Sequence, residues 1–195
     1  MRRAMCDTMG DAMLADEGDG LAEAVTPFEQ AMVPHLDAAY TLARYLLRDE
    51  DEARDAVQDA YLRALSYFSG FRGGDGRAWL LAIVRNTCRT RQQRSRTGPV
   101  TASFDEEVHT PEDTGPGMAP SQADHVPAES VRDAVGQLPF EYREAVVLRE
   151  VHGYSYKEIA VVAGVPIGTV MSRLARARQR LRDALAPEIR RRTSP

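Results

Sequence analysis

Apolar residues recur at a spacing of three and four along most of the chain, and no stretch alternates between apolar and polar as a β-strand does. The first apolar stripe runs from Phe28 to Arg48, and the second covers Ala53 to Ala64. A third follows the glycine-rich stretch Ser69–Gly76 and extends from Arg77 to Arg94. We therefore predict an all-α fold whose N-terminal part contains three helices and one glycine-rich loop.

The third predicted helix has an apolar face and a strongly basic one. The residues that we expect to face inward are Trp79, Leu80, Ile83, Val84 and Thr87. The residues that we expect to lie mostly outward are Arg77, Arg85, Arg89, Arg91 and Arg94.

Helical periodicity returns at Ser130, in a short helix that Pro139 ends and in a second helix over Phe140–Val151. Ser155 precedes Glu158 by three residues, the spacing of a capping box at a helix N-terminus. The helix that starts there stops at Gly164.

The next helix has Pro166 in its predicted first turn, so two helices are joined by a very short connection. The small Ala160, the glycine at position 164 and the apolar Val170 suit a helix-turn-helix, in which two helices cross steeply. The second helix then presents Thr169, Ser172 and Arg173 to DNA. The alternative interpretation is a tight helix pair whose exposed face happens to be rich in arginine.

Prolines and glycines interrupt every pattern between the two helical regions. We therefore divide the chain into five segments, on periodicity and composition alone. The predicted segments are a disordered acidic extension over 1–25, a helical domain over 26–96, a flexible linker over 97–129, a helix-turn-helix domain over 130–186 and a basic tail over 187–195.

Charge is distributed unevenly, although the whole chain has a net charge of only −4. Residues 71–97 carry seven arginines and one acid, and residues 131–195 carry twelve bases and seven acids. Between them, residues 98–130 carry seven acids and no base. Two basic segments around an acidic one indicate two surfaces that face polyanions.

Several classes of protein are disfavoured. Two cysteines without CxxC spacing exclude a disulfide framework and a four-ligand zinc site. We find no apolar run long enough for a membrane span and no signal-peptide core, and we expect a cytosolic protein. The four histidines are dispersed and the carboxylates do not cluster, so we predict no catalytic residue, no metal site and no cofactor.

Four stretches together resemble a bacterial RNA polymerase sigma factor of the extracytoplasmic-function (ECF) type, in the sigma-70 family. They are DEARDAVQDAYLRA over 51–64, RAWLLAIVRN over 77–86, YSYKEIA over 154–160 and GTVMSRLARAR over 168–178. The resemblance implies that 26–96 is sigma domain two and that 130–186 is sigma domain four. It further implies a factor without enzymatic activity or small-molecule substrate, which recruits core RNA polymerase to promoter DNA.

The resemblance also assigns roles to particular positions. It implies that Asp55, Gln58 and Asp59 dock on the clamp helices of the polymerase β′ subunit. At Arg54 the family often has glutamate, and this departure either reduces the negative face or alters only a contact at its rim. The residues that it assigns to the −10 element are Phe71, Arg77, Arg85, Asn86 and Arg89. The residues that it assigns to the −35 element are Thr169, Ser172, Arg173 and Arg176.

Domain four is also expected to contact the β flap, the acidic linker to enter the RNA path of the polymerase, and an anti-sigma factor to regulate the protein. Tyr67, Phe68 and Phe71 beside a basic helix are suited to stacking on single-stranded bases. The alternative is that these rings pack at a helix end. Likewise, Cys88 is interpreted as a small buried residue in preference to a redox switch.

Two other function classes stay open at this point. A stand-alone DNA-binding regulator would bind duplex DNA tightly without polymerase. A nuclease or nucleotide-dependent enzyme would act on nucleic acid with Mg²⁺ and without polymerase.

Overall fold

The computed structural model describes residues 27–95 and 127–193, and every regular element within these two ranges is helical, as predicted. The predicted N-terminal extension and most of the predicted linker lie outside the described residues. The main helices are α1 (Leu36–Leu47), α2 (Glu50–Tyr67), α3 (Gly76–Ser95), α4 (Ala128–Gln137), α5 (Phe140–Val146), α6 (Tyr156–Ala163) and α7 (Ile167–Thr193).

The first predicted helix is interrupted. Residues 27–32 are helical, a 3₁₀ turn spans Val33–His35, and α1 begins only at Leu36. Pro34 lies in that turn, and its ring disfavours the α conformation of the preceding residue. The prediction of one continuous helix from Phe28 was therefore wrong, because a single proline outweighs the apolar periodicity around it.

Helix α2 starts from a well-formed cap and ends at the predicted loop. The Asp49 side chain accepts a hydrogen bond of 2.8 Å from the backbone N–H of Glu52. The acids in the first turn complement the helix dipole. After a 3₁₀ turn over Phe68–Gly70, the chain turns through Gly73 and Gly74, which have φ values of 84° and 100°.

Helices α1, α2 and α3 pack around one apolar core, and residues 27–95 are called the N-terminal domain below. The α2 side of this core consists of fully buried alanines, which let the neighbouring helices approach closely: Ala53, Ala56, Ala60 and Ala64. Leu42, Leu46 and Leu80 are also fully buried. Of the residues predicted to face inward on α3, Trp79 and Ile83 are only half-buried.

Residues 127–193, called the C-terminal domain below, contain the predicted helix-turn-helix. Ser155 caps α6, and Glu158 accepts a hydrogen bond of 2.7 Å from the Ser155 backbone N–H, which completes the capping box. Gly164 has a φ of 65°, and α6 and α7 are bent by 102° relative to each other. Helix α7 then continues through Pro187 to Thr193, so the segment predicted as a tail extends this helix.

The two domains pack against each other. Helix α3 lies against α6, and α1 contacts α4 and α5. One continuous cluster of buried apolar side chains extends from Phe28 in the N-terminal domain to Ala177 in the C-terminal domain. Part of the α3 face that looks polar in the sequence, including Arg85, is therefore covered by the other domain.

Within the described ranges, no single helix is long and apolar enough to cross a membrane. Helices α6 and α7 reach that length and apolar composition only together, as a bent pair.

Candidate nucleic-acid and protein interfaces

The acidic face of α2 is displayed at the surface of the N-terminal domain. Asp55 and Gln58 are exposed, and Asp59 keeps 44% of its side chain exposed. Arg91 of α3 is paired with Asp59 and lies 3.8 Å from Asp55. Arg54 instead pairs with Asp51, so the departure at position 54 leaves the carboxylates farther along the helix in place.

An apolar groove lies beside this acidic face, between α1 and α2. Its lining combines apolar and aromatic side chains with polar ones: Leu36, Tyr40, Val57, Tyr61, Asp37, Arg54 and Gln58. Leu36 is 46% exposed although its spacing predicted an inward position. Apolar area next to polar and charged side chains is typical of a protein-binding surface. The sequence signal for the groove was weak, because Leu36 and Tyr40 belong to the same apolar stripe as the core residues of α1.

The aromatic residues near the glycine-rich loop form a packed cluster. The Phe68 ring lies edge-on to Phe28 at 5.3 Å and stacks on Phe71 at 5.9 Å, and the Phe71 ring lies 5.1 Å from Trp79. This arrangement favours the packing interpretation for Phe68 and Phe71. Tyr67, at 67% exposure, is the ring of this group that faces solvent.

The basic face of α3 departs from the prediction that its arginines point outward. Arg85 is buried, with 7% of its side chain exposed, and it pairs with Glu144 of α5 in the C-terminal domain. Arg77 is half-buried, whereas Asn86 is exposed and accepts a hydrogen bond of 2.9 Å from Arg85. Arg89 and Arg91 are half-buried and Arg94 is exposed. Periodicity assigned this face to solvent because periodicity does not reveal a second domain.

Arg77 makes the second polar contact between the domains. Its Nη1 donates to the backbone carbonyl of His152 at 3.2 Å, and its Nη2 lies 3.1 Å from His152 Nδ1. Because a guanidinium can only donate, Nδ1 accepts and the neutral ring carries its proton on Nε2. The Arg77 guanidinium also lies 5.0 Å from the centroid of the Tyr154 ring.

Burial shifts the pKa values of two groups at the interface between the domains, Glu144 and His152. It raises the pKa of Glu144, and hydrogen bonding with Arg85 together with the charges of Arg85 and Arg173 opposes that shift. Burial also lowers the pKa of His152 to about 4, and the positive charge of Arg77 adds to the effect. His152 is therefore neutral in the folded protein at physiological pH.

The pKa of His152 predicts that stability falls as the solution becomes acidic. Between its ordinary pKa of 6.5 and the folded value of about 4, the unfolded chain binds a proton that the folded protein excludes. At pH 5 the free energy of unfolding is lower than at pH 7.5 by on the order of 2 kcal/mol. Denaturant midpoints at both pH values measure it. His152→Asn keeps an acceptor for Arg77 but cannot titrate in this range, and an equal loss in that variant would exclude His152 as the cause.

The predicted recognition helix, the N-terminal part of α7, is partly accessible. Thr169 and Ser172 are half-buried, and the Ser172 hydroxyl donates to the Thr169 carbonyl at 3.0 Å. Arg176 is exposed. Arg173 has 18% of its side chain exposed, and its Nη1 lies 3.7 Å from the carboxylate of Glu144. The same buried carboxylate thus faces one predicted DNA-reading arginine from each domain.

Metal binding and thiol redox chemistry are alternatives to DNA and protein binding, and both depend on where the described histidine, cysteine and carboxylate side chains lie. No group of three or more His, Cys, Asp or Glu side chains there is placed to hold a metal ion. Cys88 is buried, and burial raises the pKa of its thiol to about 12, so the thiolate needed for redox chemistry is disfavoured.

Comparison with known families agrees with this geometry. Residues 32–97 match the model "Sigma-70 region 2", and residues 128–181 match "Sigma-70, region 4". The ECF RNA polymerase sigma factor EcfG of Rhodopseudomonas palustris is 34% identical over 154 residues, which cover 77% of this chain and 79% of that protein. The RNA polymerase sigma-H factor of Pseudomonas aeruginosa is 36% identical over 152 residues, which cover 74% of this chain and 78% of that protein.

A solved structure gives the same result for the fold. The sigma factor RpoE of Bartonella quintana, in complex with the anti-sigma factor NepR, superposes with a TM-score of 0.62 at 28% identity. The superposition covers 82% of this chain and 97% of that one, so it includes both domains.

Proposed function

Because the chain belongs to the ECF sigma factors of the sigma-70 family, it directs RNA polymerase to promoters at the start of transcription, and we propose that three surfaces divide this work. Sigma factors are initiation factors and not themselves catalysts. The acidic face of α2 binds core polymerase, the basic face of α3 acts on the −10 element, and the N-terminal part of α7 reads the −35 element. The matched order of the two regions, each on a separate helical domain, is the observation that carries the proposal.

The polymerase-binding surface comprises Asp55, Gln58 and Asp59 and the adjoining apolar groove. The exposed carboxylates fit a basic partner surface, and the groove offers apolar area that a partner can bury. Arg91 orients Asp59 from the neighbouring helix. The clamp helices of the β′ subunit are the partner that this surface suits.

The −10 surface combines Arg77, Arg85, Asn86 and Arg89 on α3 with Phe71 in the preceding loop. Arginines bind phosphates, exposed polar side chains form hydrogen bonds with base edges, and aromatic rings stack on bases. Phe71 is packed against Trp79, so its part in binding is to shape the loop unless the cluster rearranges. Tyr67 is the exposed ring next to this surface.

The −35 surface comprises Thr169, Ser172, Arg173 and Arg176 on the first turns of α7. The 102° bend between α6 and α7 is typical of a helix-turn-helix, which places its second helix in the major groove. Arg173 is the residue suited to read a guanine, and Arg176 is suited to hold phosphate.

A protein inhibitor completes the proposed set of partners, together with the β flap for the C-terminal domain. The superposed sigma factor from Bartonella quintana is bound to an anti-sigma factor, and the likeness includes both of its domains. We accordingly expect an anti-sigma factor that binds this chain while its two domains are packed against each other.

Transcription with bacterial core RNA polymerase tests the proposal. Core enzyme alone initiates poorly on intact linear DNA, and adding this protein should produce discrete transcripts from a library of genomic fragments of the source organism. Fluorescence anisotropy of the labelled protein should show saturable binding to core polymerase. Tight binding to duplex DNA without any binding to polymerase would instead identify a stand-alone DNA-binding regulator.

A further inference from the structure

We propose that the free protein holds its two promoter-reading surfaces closed against each other, and that the Glu144 carboxylate acts there as an internal substitute for DNA phosphate. The carboxylate and the two arginines that it faces, Arg85 and Arg173, are called the Glu144 cluster. The inference rests on the proposed function, since it takes Arg85 and Arg173 to be DNA-reading residues.

The first observation is the placement of the Glu144 cluster. Glu144 is on α5, Arg85 is on the −10 helix α3, and Arg173 is on the recognition helix α7. Arg85 Nε donates to one carboxylate oxygen, and Arg85 Nη2 lies 3.4 Å from the other, which gives a two-point contact. Arg173 Nη1 approaches that second oxygen at 3.7 Å. One acid thus faces an arginine from each reading surface.

The second observation is the burial of these groups. The side chain of Glu144 is 1% exposed, and those of Arg85 and Arg173 are 7% and 18% exposed. A guanidinium that is buried in an ion pair cannot at the same time meet a phosphate or a base edge. Reading of the −10 element by Arg85 therefore requires that α3 separate from the C-terminal domain.

The third observation is a separate contact that holds the same two faces together. Arg77, another residue of the proposed −10 surface, is bound to the carbonyl and ring of His152 and lies over Tyr154. Asn86, next to Arg85, stays exposed, and its side-chain oxygen accepts a hydrogen bond from Arg85. The closed arrangement thus covers Arg77 and Arg85 of the −10 surface and leaves the Asn86 amide accessible.

These contacts imply a closed and an open state with different DNA affinities. A buried carboxylate stabilises the closed state only while both arginines face it, and removing it leaves two cations together at the interface. In the open state both arginines are available to phosphates, which then take the place of Glu144. The apparent DNA affinity of the free protein is lowered by the fraction of molecules that are closed.

The domain separation is measured by energy transfer between dyes, in the full chain and without polymerase. Exposed positions on each domain carry the dyes as Ser66→Cys and Asp133→Cys, with Cys6→Ser to prevent labelling elsewhere. In Glu144→Leu the transfer efficiency should fall clearly below that of the parent. Arg85→Leu combined with Glu144→Leu removes both members of the interdomain ion pair and leaves only the more exposed Arg173. This double variant should restore the parent efficiency, because an apolar pair can close the same interface.

The matched control is Glu150→Leu. It also removes one carboxylate and releases one arginine, since Glu150 pairs with Arg178 at 3.2 Å, but both residues lie in the C-terminal domain. Its transfer efficiency should equal that of the parent.

Fluorescence anisotropy of a labelled DNA duplex of random sequence, titrated at low salt, then gives the DNA affinity of each variant. Glu144→Leu should bind this duplex about tenfold more tightly than Glu150→Leu.

Three results would overturn the proposal. Unchanged transfer in Glu144→Leu would mean that the Glu144 cluster does not hold the domains together. Failure of the double variant to restore transfer would mean that Glu144→Leu had damaged the fold of the C-terminal domain. Opening without any gain in DNA affinity over the control would mean that closure does not mask DNA binding. Transcription with core polymerase reports separately on the proposed function, so a failure of either idea is distinguishable.

Discussion

Reversing Asp55 and Asp59 to lysine should weaken binding of the protein to core RNA polymerase by roughly 30-fold, about 2 kcal/mol. The reason is that two carboxylates facing a basic partner become two ammonium groups facing the same partner. Asp55 keeps 68% of its side chain exposed and Asp59 keeps 44%, so both are available to a partner surface. Titration of core polymerase into labelled protein, followed by anisotropy, measures the change.

Two controls separate a lost interface from a lost fold. Glu129→Lys with Asp133→Lys makes the same charge change on exposed positions of α4 in the C-terminal domain, and its affinity for polymerase should be unchanged. Gln58→Lys alters the proposed surface without touching the contact between Arg91 and Asp59, and it should weaken binding by itself. Equal affinities of all these variants for polymerase would remove α2 from the proposed polymerase-binding surface.

Replacing Arg173 with alanine should reduce discrimination at one position of the −35 element by about tenfold, since a bidentate contact from arginine to guanine contributes ~1–3 kcal/mol. Binding to core polymerase should be unchanged. Selection from a promoter library by the holoenzyme, followed by sequencing, shows the effect as a relaxed preference at that position. A strong promoter isolated with the parent protein then serves to compare transcription from intact and altered −35 elements.

Arg182→Ala is the matched control for Arg173→Ala, because Arg182 is an exposed arginine farther along the same helix. It should leave the −35 preference intact. The contact of Arg173 with Glu144 adds a second effect, since the alanine variant also loses one arm of the Glu144 cluster. Loss of polymerase affinity equal to the loss of discrimination would show that Arg173 supports the fold and does not read DNA.

Local features of the sequence were sufficient to predict most of the helices and their ends. The capping box of Ser155 and Glu158 and the left-handed Gly164 are as predicted, because such signals depend on hydrogen bonds and backbone preferences within a few residues. The glycine-rich loop before α3 also follows from composition. The 3₁₀ turn at Pro34 was missed because apolar periodicity was given more weight than a local proline effect.

The candidate surfaces were predictable to different degrees. The acidic face of α2 is visible in the sequence because carboxylates at helical spacing cannot enter the core unpaired. The apolar groove beside it was not visible, since Leu36 has the same spacing as its buried neighbours on α1. The partner of the acidic face came only from resemblance to a family, since charge alone does not identify a protein.

The sequence by itself determined an all-α chain with two helical regions, the position of the helix-turn-helix and the two basic segments that indicate polyanion binding. Each of these depends on propensity, periodicity or charge along one stretch of chain. Only the tertiary structure decided that Arg85 and Arg173 meet at one buried carboxylate, Glu144. The physical reason is that the buried charge of Arg85 requires a counter-charge, which Glu144 of the other domain supplies. These two residues are 59 positions apart in the sequence, so their pairing depends on how the domains pack and on no local sequence pattern.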